Sequence, residues 1–234
     1  MRALIVGASG GLGGAFVSLL SSDPRFSQII GWSRSGGPRS GGKVCSMPID
    51  LCDEATIEAA AGSLGEVDLV IIATGLLHDG DLKPEKSWRA LDPVVMQRIF
   101  QINTIGPALV AKHVLPLLPR DRRAVFAALS ARVGSISDNR LGGWHSYRAS
   151  KSALNQLIRC FGIELAVKRP QAICVGLHPG TVDTGLSKPF QSGVPEAKLV
   201  AADQAAENLL GVLDRLTPLQ SGRVYDWAGV EIPA

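Results

Sequence analysis

Short apolar segments alternate with longer amphipathic segments along this chain. Several of the short segments are apolar throughout, which is typical of strands buried on both faces of a parallel sheet. Seven strands are predicted, at residues 3–6, 28–32, 43–49, 68–73, 123–129, 172–177 and 222–227. Helices are predicted at residues 13–20, 54–61, 94–118, 147–167 and 203–213. This alternation predicts an α/β fold in which helices cover both faces of one mostly parallel sheet.

The chain of 234 residues shows no internal repeat and no linker, so we expect one domain over residues 1–234. The net charge of +3 is too small to indicate nucleic acid or an anionic membrane as a partner. No apolar run is long enough to span a bilayer, so no membrane segment is expected.

The four cysteines form no CxxC pair, and no histidine lies at ligand spacing from them. A metal site or a disulfide framework is therefore not expected. The chain begins directly with a strand-like run rather than with a charged segment and an apolar core, so no signal peptide is expected. These features favour a reduced, cytoplasmic setting.

A glycine-rich turn follows the first predicted strand and precedes the first predicted helix. Its candidate cofactor-binding residues are Gly7, Ser9, Gly11, Leu12 and Gly13. Glycines let a pyrophosphate approach the main-chain N–H groups, and the positive end of the next helix faces the same anion. A purely structural tight turn is the alternative, but the strand–turn–helix context favours dinucleotide binding in a Rossmann-type domain.

The end of the second predicted strand favours NADP over NAD. An acidic residue here would hold the 2′-hydroxyl of NAD, but this chain has Ser33 followed by Arg34. A guanidinium binds a 2′-phosphate through charge-assisted hydrogen bonds, whereas a carboxylate repels it. The alternative is that Arg34 is an ordinary surface residue.

Tyr147 and Lys151 open a long predicted helix and are the candidate chemical centre. Residues four apart share a helical face, so the phenol and the ammonium can approach each other. A tyrosine has an ordinary pKa of about 10, and a nearby cation favours the phenolate. We therefore expect Lys151 to lower the pKa of Tyr147. Such a tyrosine can donate a proton to a carbonyl oxygen as a hydride reaches the carbon.

The spacing of Gly7, Gly11 and Gly13, together with Tyr147 and Lys151, resembles the short-chain dehydrogenase/reductase family. The end of the chain, residues 221–227, resembles the C-factor and sniffer-like branch of that family. The resemblance implies an NADP-dependent enzyme that transfers a hydride between nicotinamide and a small-molecule carbonyl or alcohol. It also implies a homodimer or homotetramer formed through the long helices.

The resemblance implies further site residues. Cofactor contacts are implied for Asp50, Leu51, Ala73, Gly75, Pro179, Gly180, Val182 and Thr184. Residues 185–199 would be a lid over the substrate. Asn103 would support a proton-relay water, although an asparagine inside a helix can also bond only to backbone. Asp50 can equally be the N-cap of the helix near Glu54, and both roles are compatible.

The chain departs from the family pattern most clearly at the catalytic serine. Alignment without gaps places Ala131 at that position, with Ser130 one residue earlier, where strand alternation would direct its side chain away. We keep Ser130 as a candidate catalytic residue, with Ser135 as a possible substitute. The loss of this serine leaves open a second function, a nucleotide-binding signalling or regulatory protein with little turnover.

The sequence departs from the family pattern at two further places, and it contains two histidines whose roles are open. The run ending in Ala73, Thr74 and Gly75 keeps only the glycine of the family's NNAG motif, and Val6 replaces a threonine. His145 either edges the substrate pocket together with Trp144 or has no role. His78 is expected to be an ordinary surface residue.

Overall fold

A computed structural model describes residues 1–36, 41–193, 195 and 198–234. The main sheet has the strand order β3-β2-β1-β4-β5-β6-β9, and every neighbouring pair is parallel. Its strands are β1 (Arg2–Val6), β2 (Gln28–Ser33), β3 (Val44–Pro48), β4 (Leu69–Ile72), β5 (Ala124–Leu129), β6 (Ala172–His178) and β9 (Arg223–Asp226). The predicted sheet of seven parallel strands is confirmed.

Helices pack on both faces of this sheet. They are α1 (Gly11–Ser22), α2 (Glu54–Gly62), α3 (Pro93–Phe100), α4 (Gly106–Val114), α5 (His145–Lys168) and α6 (Ala202–Arg215). Residues of α1 and α6 share one apolar core with the sheet, and residues of α2, α4 and α5 share the other. The structure is thus the doubly wound, Rossmann-type α/β fold that the sequence predicts.

The direction in which successive strands are added to the sheet changes between β1 and β4. Strands β2 and β3 extend the sheet on one side of β1, and the chain then returns to β4 on the other side. In such a sheet, ligands bind in the crevice beyond the carboxyl ends of the strands at this switch point. The glycine-rich turn follows β1 directly, so it lies at this crevice.

The predicted strand ends agree with the observed ends to within one residue, and those of four helices to within two. The single helix predicted over residues 94–118 is wrong. The chain instead forms α3, a π-helical turn at Gln101–Ile105, α4 and a short 3-10 turn at Leu115–Leu117. Pro107 has no N–H for the regular helical bond, and the Gly106 N–H bonds to Gln101 O in the wider π pattern.

A second, two-stranded parallel sheet was not predicted from the sequence. It pairs β7 (Thr181–Val182) with β8 (Leu199–Val200). Two residues are too few for hydrophobic periodicity to identify a strand. The pairing brings the two ends of the segment at residues 183–198 close together beside the crevice.

No helix within the described residues is long and apolar enough to cross a membrane. Across the same parts of the chain, no group of three or more His, Cys, Asp or Glu side chains could hold a metal ion.

Candidate active site

Two adjoining cavities lie at the carboxyl edge of the sheet. The first, of about 270 Å³, lies at the ends of β1 and β2 and contains Gly7, Ser9, Ser33, Arg34, Asp50 and Leu51. The second, of about 500 Å³, contains Gly11, Leu12, Ser130, Tyr147, Lys151, Pro179, Gly180, Val182 and Thr184. Gly10, Ala73, Thr74 and Gly75 line both cavities. One continuous crevice therefore contains most of the candidate residues.

The glycine-rich turn leaves no room for a side chain at Gly7, Gly11 and Gly13. Gly7 has a φ of +89°, in the left-handed region that favours glycine. A Cβ atom on Gly13 would lie 2.1 Å from Gly7 O, and one on Gly11 would lie 2.9 Å from Thr184 Cγ2. Gly13 is therefore required for the close packing of α1 on the turn, while Gly11 keeps the backbone open beside the second cavity.

The start of α1 suits an anionic ligand. Its N-cap residue, Gly10, provides no side-chain hydrogen bond, and the first turn contains no acidic residue. The first N–H groups of a helix have no intrahelical acceptor and carry a partial positive charge. The cradle of glycines and this open helix end fit the pyrophosphate of a dinucleotide.

The first cavity has the polar groups expected at the adenosine end of such a cofactor. Ser33 is buried, whereas Arg34 is exposed at the rim. Arg98, which the sequence did not single out, also lines this cavity and donates from Nη1 to Cys52 Sγ at 3.1 Å. The cavity rim thus carries two guanidinium groups.

The alternative role of Asp50 as a helix N-cap is wrong. Asp53 is the N-cap of α2, and its carboxylate accepts from Ala55 N. Asp50 Oδ1 instead accepts from Cys52 N at 2.9 Å, three residues before the helix cap. Asp50 and Leu51 both line the first cavity.

Thr74 is a candidate site residue that sequence reasoning missed. Its hydroxyl is buried and has no hydrogen-bond partner among the described residues, and the residue lines both cavities. A buried hydroxyl without a partner costs free energy unless a ligand satisfies it. A polar residue at the end of a buried strand was the available signal, but the resemblance to the family implied contacts only for its neighbours Ala73 and Gly75.

Tyr147 and Lys151 lie on the first two turns of α5 and are almost fully buried. The Lys151 ammonium donates to Leu129 O at 2.8 Å, which ties α5 to the end of β5. Lys151 Nζ lies 5.8 Å from the centre of the Tyr147 ring. The structure brings the two residues together in the second cavity, as their spacing predicts.

The expected lowering of the tyrosine pKa is not found. Burial raises the pKa of Tyr147 to about 12, because the phenolate loses its hydration. Burial also lowers the pKa of Lys151 to about 8. Desolvation is the cause of both shifts, so at neutral pH Tyr147 is a phenol and Lys151 is mainly an ammonium.

Asn103 lies within the π-helical turn and is fully buried. Its Oδ1 accepts from Leu76 N at 2.7 Å, and its Nδ2 donates to Leu76 O at 2.8 Å and to Ser150 Oγ at 3.1 Å. The side chain therefore joins the loop after β4 to α5. These bonds include the backbone bonding considered as the alternative, and the role in a proton relay stays a prediction.

Neither candidate serine offers a free hydroxyl to the cavity. Ala131 packs against Tyr147 and Leu77 in a small apolar cluster. Ser130 lines the second cavity, but its hydroxyl donates to Asn155 Oδ1 at 2.5 Å. Ser135 is buried, and its Oγ accepts from Asp138 N at 3.1 Å.

Aromatic residues close the second cavity on the side of the predicted lid. The Phe190 ring centre lies 5.1 Å from that of Trp144 and 5.6 Å from that of His78. His78 Nε2 also lies 3.0 Å from Gly185 O. The prediction that His78 is an ordinary surface residue is therefore wrong, because this side chain contacts Gly185 and Phe190 of the predicted lid. Within residues 185–199, positions 194, 196 and 197 lie outside the described residues.

Trp144 lines the cavity from a strained backbone position. It is the N-cap of α5, with a φ of +51°, and follows two glycines that also have positive φ. A non-glycine residue pays roughly 1–2 kcal/mol for this conformation. The pair Gly142-Gly143 was a signal for the unusual turn. Neighbouring His145 has a buried Nδ1 atom that finds no hydrogen-bond partner within the described ranges.

Comparison with known proteins identifies the class to which this fold and site belong. The family model described as short chain dehydrogenase matches residues 1–194. The chain therefore belongs to the short-chain dehydrogenase family, an oxidoreductase family whose members bind nicotinamide cofactors.

Individual relatives agree with this assignment. The C-signal protein of Myxococcus xanthus is 33% identical over 192 residues, which cover 81% of this chain and 95% of that protein. The 1-hydroxy-2-glutathionyl-2-methyl-3-butene dehydrogenase of Rhodococcus sp. (strain AD45) is 34% identical over 179 residues, covering 75% of this chain and 74% of that enzyme. The NADPH-bound carbonyl reductase from chicken fatty liver is 26% identical, with a TM-score of 0.84, covering 100% of this chain and 98% of that chain.

Proposed function

We propose that this protein is an NADP-dependent carbonyl reductase or alcohol dehydrogenase in which Tyr147 is the general acid and base. One observation carries the proposal: Tyr147 and Lys151 line the same cavity as the glycine-rich turn and the segment from Pro179 to Thr184. The NADPH-bound relative supports the choice of cofactor. The implied cofactor contacts and the lid belong to this proposal.

When bound, NADPH supplies the hydride that the substrate carbonyl carbon accepts. Tyr147 gives its proton to the carbonyl oxygen, so the C=O bond becomes a C–O–H group and the tyrosine becomes a phenolate. A pKa of about 12 keeps the proton on Tyr147 until charge develops on the oxygen. Lys151, which is held by Leu129 O, stabilises the phenolate through its positive charge.

Cofactor choice rests on the rim of the first cavity. Ser33 stands where a carboxylate would discriminate against a 2′-phosphate, Arg34 follows it, and Arg98 adds a second positive charge to the same cavity. Thr74 supplies an unsatisfied hydroxyl between the two cavities. The two guanidinium groups of the first cavity suit the extra negative charge of NADP.

The test is NADPH oxidation with a panel of ketones, aldehydes and quinones, for the natural protein and for Tyr147→Phe. We expect turnover with at least one carbonyl compound and a loss of about 10²-fold or more in the variant. The variant should bind NADPH normally because its phenyl ring keeps the shape of the site. Equal turnover in the two proteins would contradict the proposal.

A second candidate is a nucleotide-binding regulatory protein with little turnover. Ala131 carries this alternative, because its methyl group stands where the family has the catalytic serine. The similarity to the C-signal protein supports it as well. Tight NADPH binding without oxidation by any carbonyl compound would favour this candidate.

We also propose a homodimer or homotetramer in a reducing, cytoplasmic setting. Ile163 and Val167 lie one turn apart on α5 and are 55% and 81% exposed. Exposed apolar side chains at this spacing suit a contact with a second copy. The reducing setting is supported by the thiols of Cys45, Cys52, Cys160 and Cys174, which are all free.

A further inference from the structure

The proposed reaction places developing negative charge on the substrate oxygen, and one donor from Tyr147 leaves that charge partly unsatisfied. Oxyanion sites commonly use more than one preorganised donor. Ala131 offers a methyl group, the Ser130 hydroxyl already donates to Asn155 Oδ1, and Ser135 is not among the residues that line the second cavity. The chain therefore needs a donor from another element.

His178 occupies the appropriate position. It is the last residue of β6, beside the end of β5, and Ser130 N donates to Leu177 O at 2.8 Å. This bond continues the strand pairing to the residue next to Ala131. The His178 side chain lines the second cavity together with Tyr147 and Ala131.

The imidazole of His178 is poised as a neutral donor. Burial lowers its pKa to about 4, and the charge of Arg132 lowers it further, while Asp226 acts in the opposite direction. Arg132 itself is paired with Asp226 at 3.0 Å. At neutral pH the ring therefore carries a single N–H.

The position of that proton follows from the surroundings of the ring. Nδ1 is buried and has no hydrogen-bond partner in the part of the chain that the structure describes. A proton on Nδ1 would be a buried donor without an acceptor, which costs free energy. The Nε2–H tautomer instead leaves Nδ1 as a buried acceptor and puts the one N–H on Nε2, which is not among the buried atoms without a partner. A neutral imidazole N–H is chemically able to polarise a substrate carbonyl.

We propose that His178 donates a hydrogen bond from Nε2 to the substrate oxygen and replaces the serine hydroxyl that is missing at Ala131. The inference rests on the proposed carbonyl reductase function. It makes His178 a catalytic residue, since the imidazole would touch the reacting oxygen. Tyr147 remains the group that transfers the proton.

Mutant kinetics test the proposal through a double-mutant cycle. His178→Ala should lower kcat by roughly 10²–10³-fold, the usual loss for one such donor. In that background, Ala131→Ser should recover at least about tenfold, because the new hydroxyl replaces the lost donor, whereas Ala131→Ser alone should change kcat little. His113→Ala, on α4 away from both cavities, is the matched histidine control.

Two further measurements keep the proposal testable if His178→Ala folds poorly. NADPH affinity and thermal unfolding show whether a variant is intact, and His178→Asn retains a side-chain N–H and should keep more activity than His178→Ala. Nitrogen-15 NMR of the natural protein, without cofactor, should show His178 neutral at pH 7 with its proton on Nε2.

Full kcat in an intact His178→Ala variant, or the same effect of Ala131→Ser in both backgrounds, would overturn the proposal. An Nδ1–H tautomer would also overturn it. Absence of turnover by the natural protein with every carbonyl compound would instead count against the proposed function, and the NMR result would still report on His178.

Discussion

The buried carboxylate of Glu85 caps the helix that carries Tyr147 by accepting a hydrogen bond from Ser146 N at 3.2 Å. The Ser146 hydroxyl donates to the same carboxylate. The backbone carbonyl of Glu85 accepts from Trp144 N at 2.5 Å, which supports the left-handed N-cap of α5. Glu85 therefore connects the loop after β4 to the residues on either side of the start of α5.

This contact predicts that Glu85 is a positioning residue for catalysis. Glu85→Ala should lower the free energy of unfolding by about 1–3 kcal/mol, because two buried donors of Ser146 lose their acceptor. It should also lower kcat more than it raises the KM for NADPH, since the first turn of α5 holds Tyr147 but not the adenosine end of the site. Urea denaturation and steady-state kinetics measure the two effects.

Glu164→Ala is the control for this prediction, because Glu164 is an exposed glutamate on the same helix. Glu85→Gln should restore part of kcat, since its amide oxygen still accepts from Ser146. If Glu85→Ala lost stability with no change in kcat, the residue would be only structural.

The buried Lys151 predicts a specific dependence of stability on pH. Its pKa falls from the ordinary value of 10.5 to about 8 on folding, so the unfolded chain binds more protons between these values. Stability should therefore rise with pH through this window. Lys151→Met should remove the rise, as measured by urea denaturation from pH 7 to pH 10.

At pH 7 the burial of the Lys151 charge lowers the free energy of unfolding by on the order of 3 kcal/mol, at 1.36 kcal/mol for each pKa unit. The hydrogen bond from Lys151 to Leu129 O acts in the opposite direction. Lys168→Met removes an exposed lysine of the same helix and should leave the pH profile unchanged. Above pH 10 stability should fall, because the folded protein retains the Tyr147 proton up to about pH 12. Parallel profiles for the natural protein and Lys151→Met would contradict this account.

The rim of the first cavity predicts a preference for NADPH over NADH. Arg34→Ala should weaken NADPH binding by roughly 10- to 100-fold, the equivalent of one lost hydrogen bond to a charged group, and should leave NADH binding unchanged. Fluorescence titration with both nucleotides measures the difference. Arg140→Ala removes an exposed arginine from another loop and is the control. Equal affinities for the two nucleotides in the natural protein would contradict the assignment of NADP as the cofactor.

The exposed apolar residues of α5 predict the site of self-association. Val167→Glu should shift the protein towards a monomer, because a carboxylate would be buried against a second copy. Light scattering at micromolar concentration gives the oligomeric state. Lys168→Met, at the next position, provides the comparison. A natural protein that is monomeric at this concentration would rule out the proposed oligomer.

Local patterns in the sequence identified the sheet, the glycine-rich turn and the Tyr147–Lys151 pair. These features depend on residues near one another in the chain, where spacing alone fixes their relative positions. Glu85, Thr74 and His178 were not identified because their environments arise from distant segments. Each is defined by its surroundings in the fold. Glu85 contacts Ser146, the Thr74 hydroxyl has no hydrogen-bond partner among the described residues, and His178 lies beside the end of the neighbouring strand.

The pKa of Tyr147 is another property that the sequence alone does not predict. The sequence shows a cation four residues from a phenol, which favours the phenolate. It does not show how completely both groups leave water, and burial proves to be the larger effect. Similarly, the lid contact of His78 depends on Gly185 and Phe190, which lie more than a hundred residues later.

Isotope transfer most directly tests the claim that the protein moves a hydride from NADPH to a carbonyl carbon with Tyr147 as the acid. NADPH carrying deuterium at C4, prepared separately with the label on each face, is incubated with the protein and a carbonyl compound that it turns over. The account predicts that one of the two labelled forms gives an alcohol with one deuterium on the carbinol carbon, measured by mass spectrometry, and that Tyr147→Phe forms this product at least about 10²-fold more slowly. An unlabelled alcohol from both forms, or an undiminished rate in Tyr147→Phe, would contradict it.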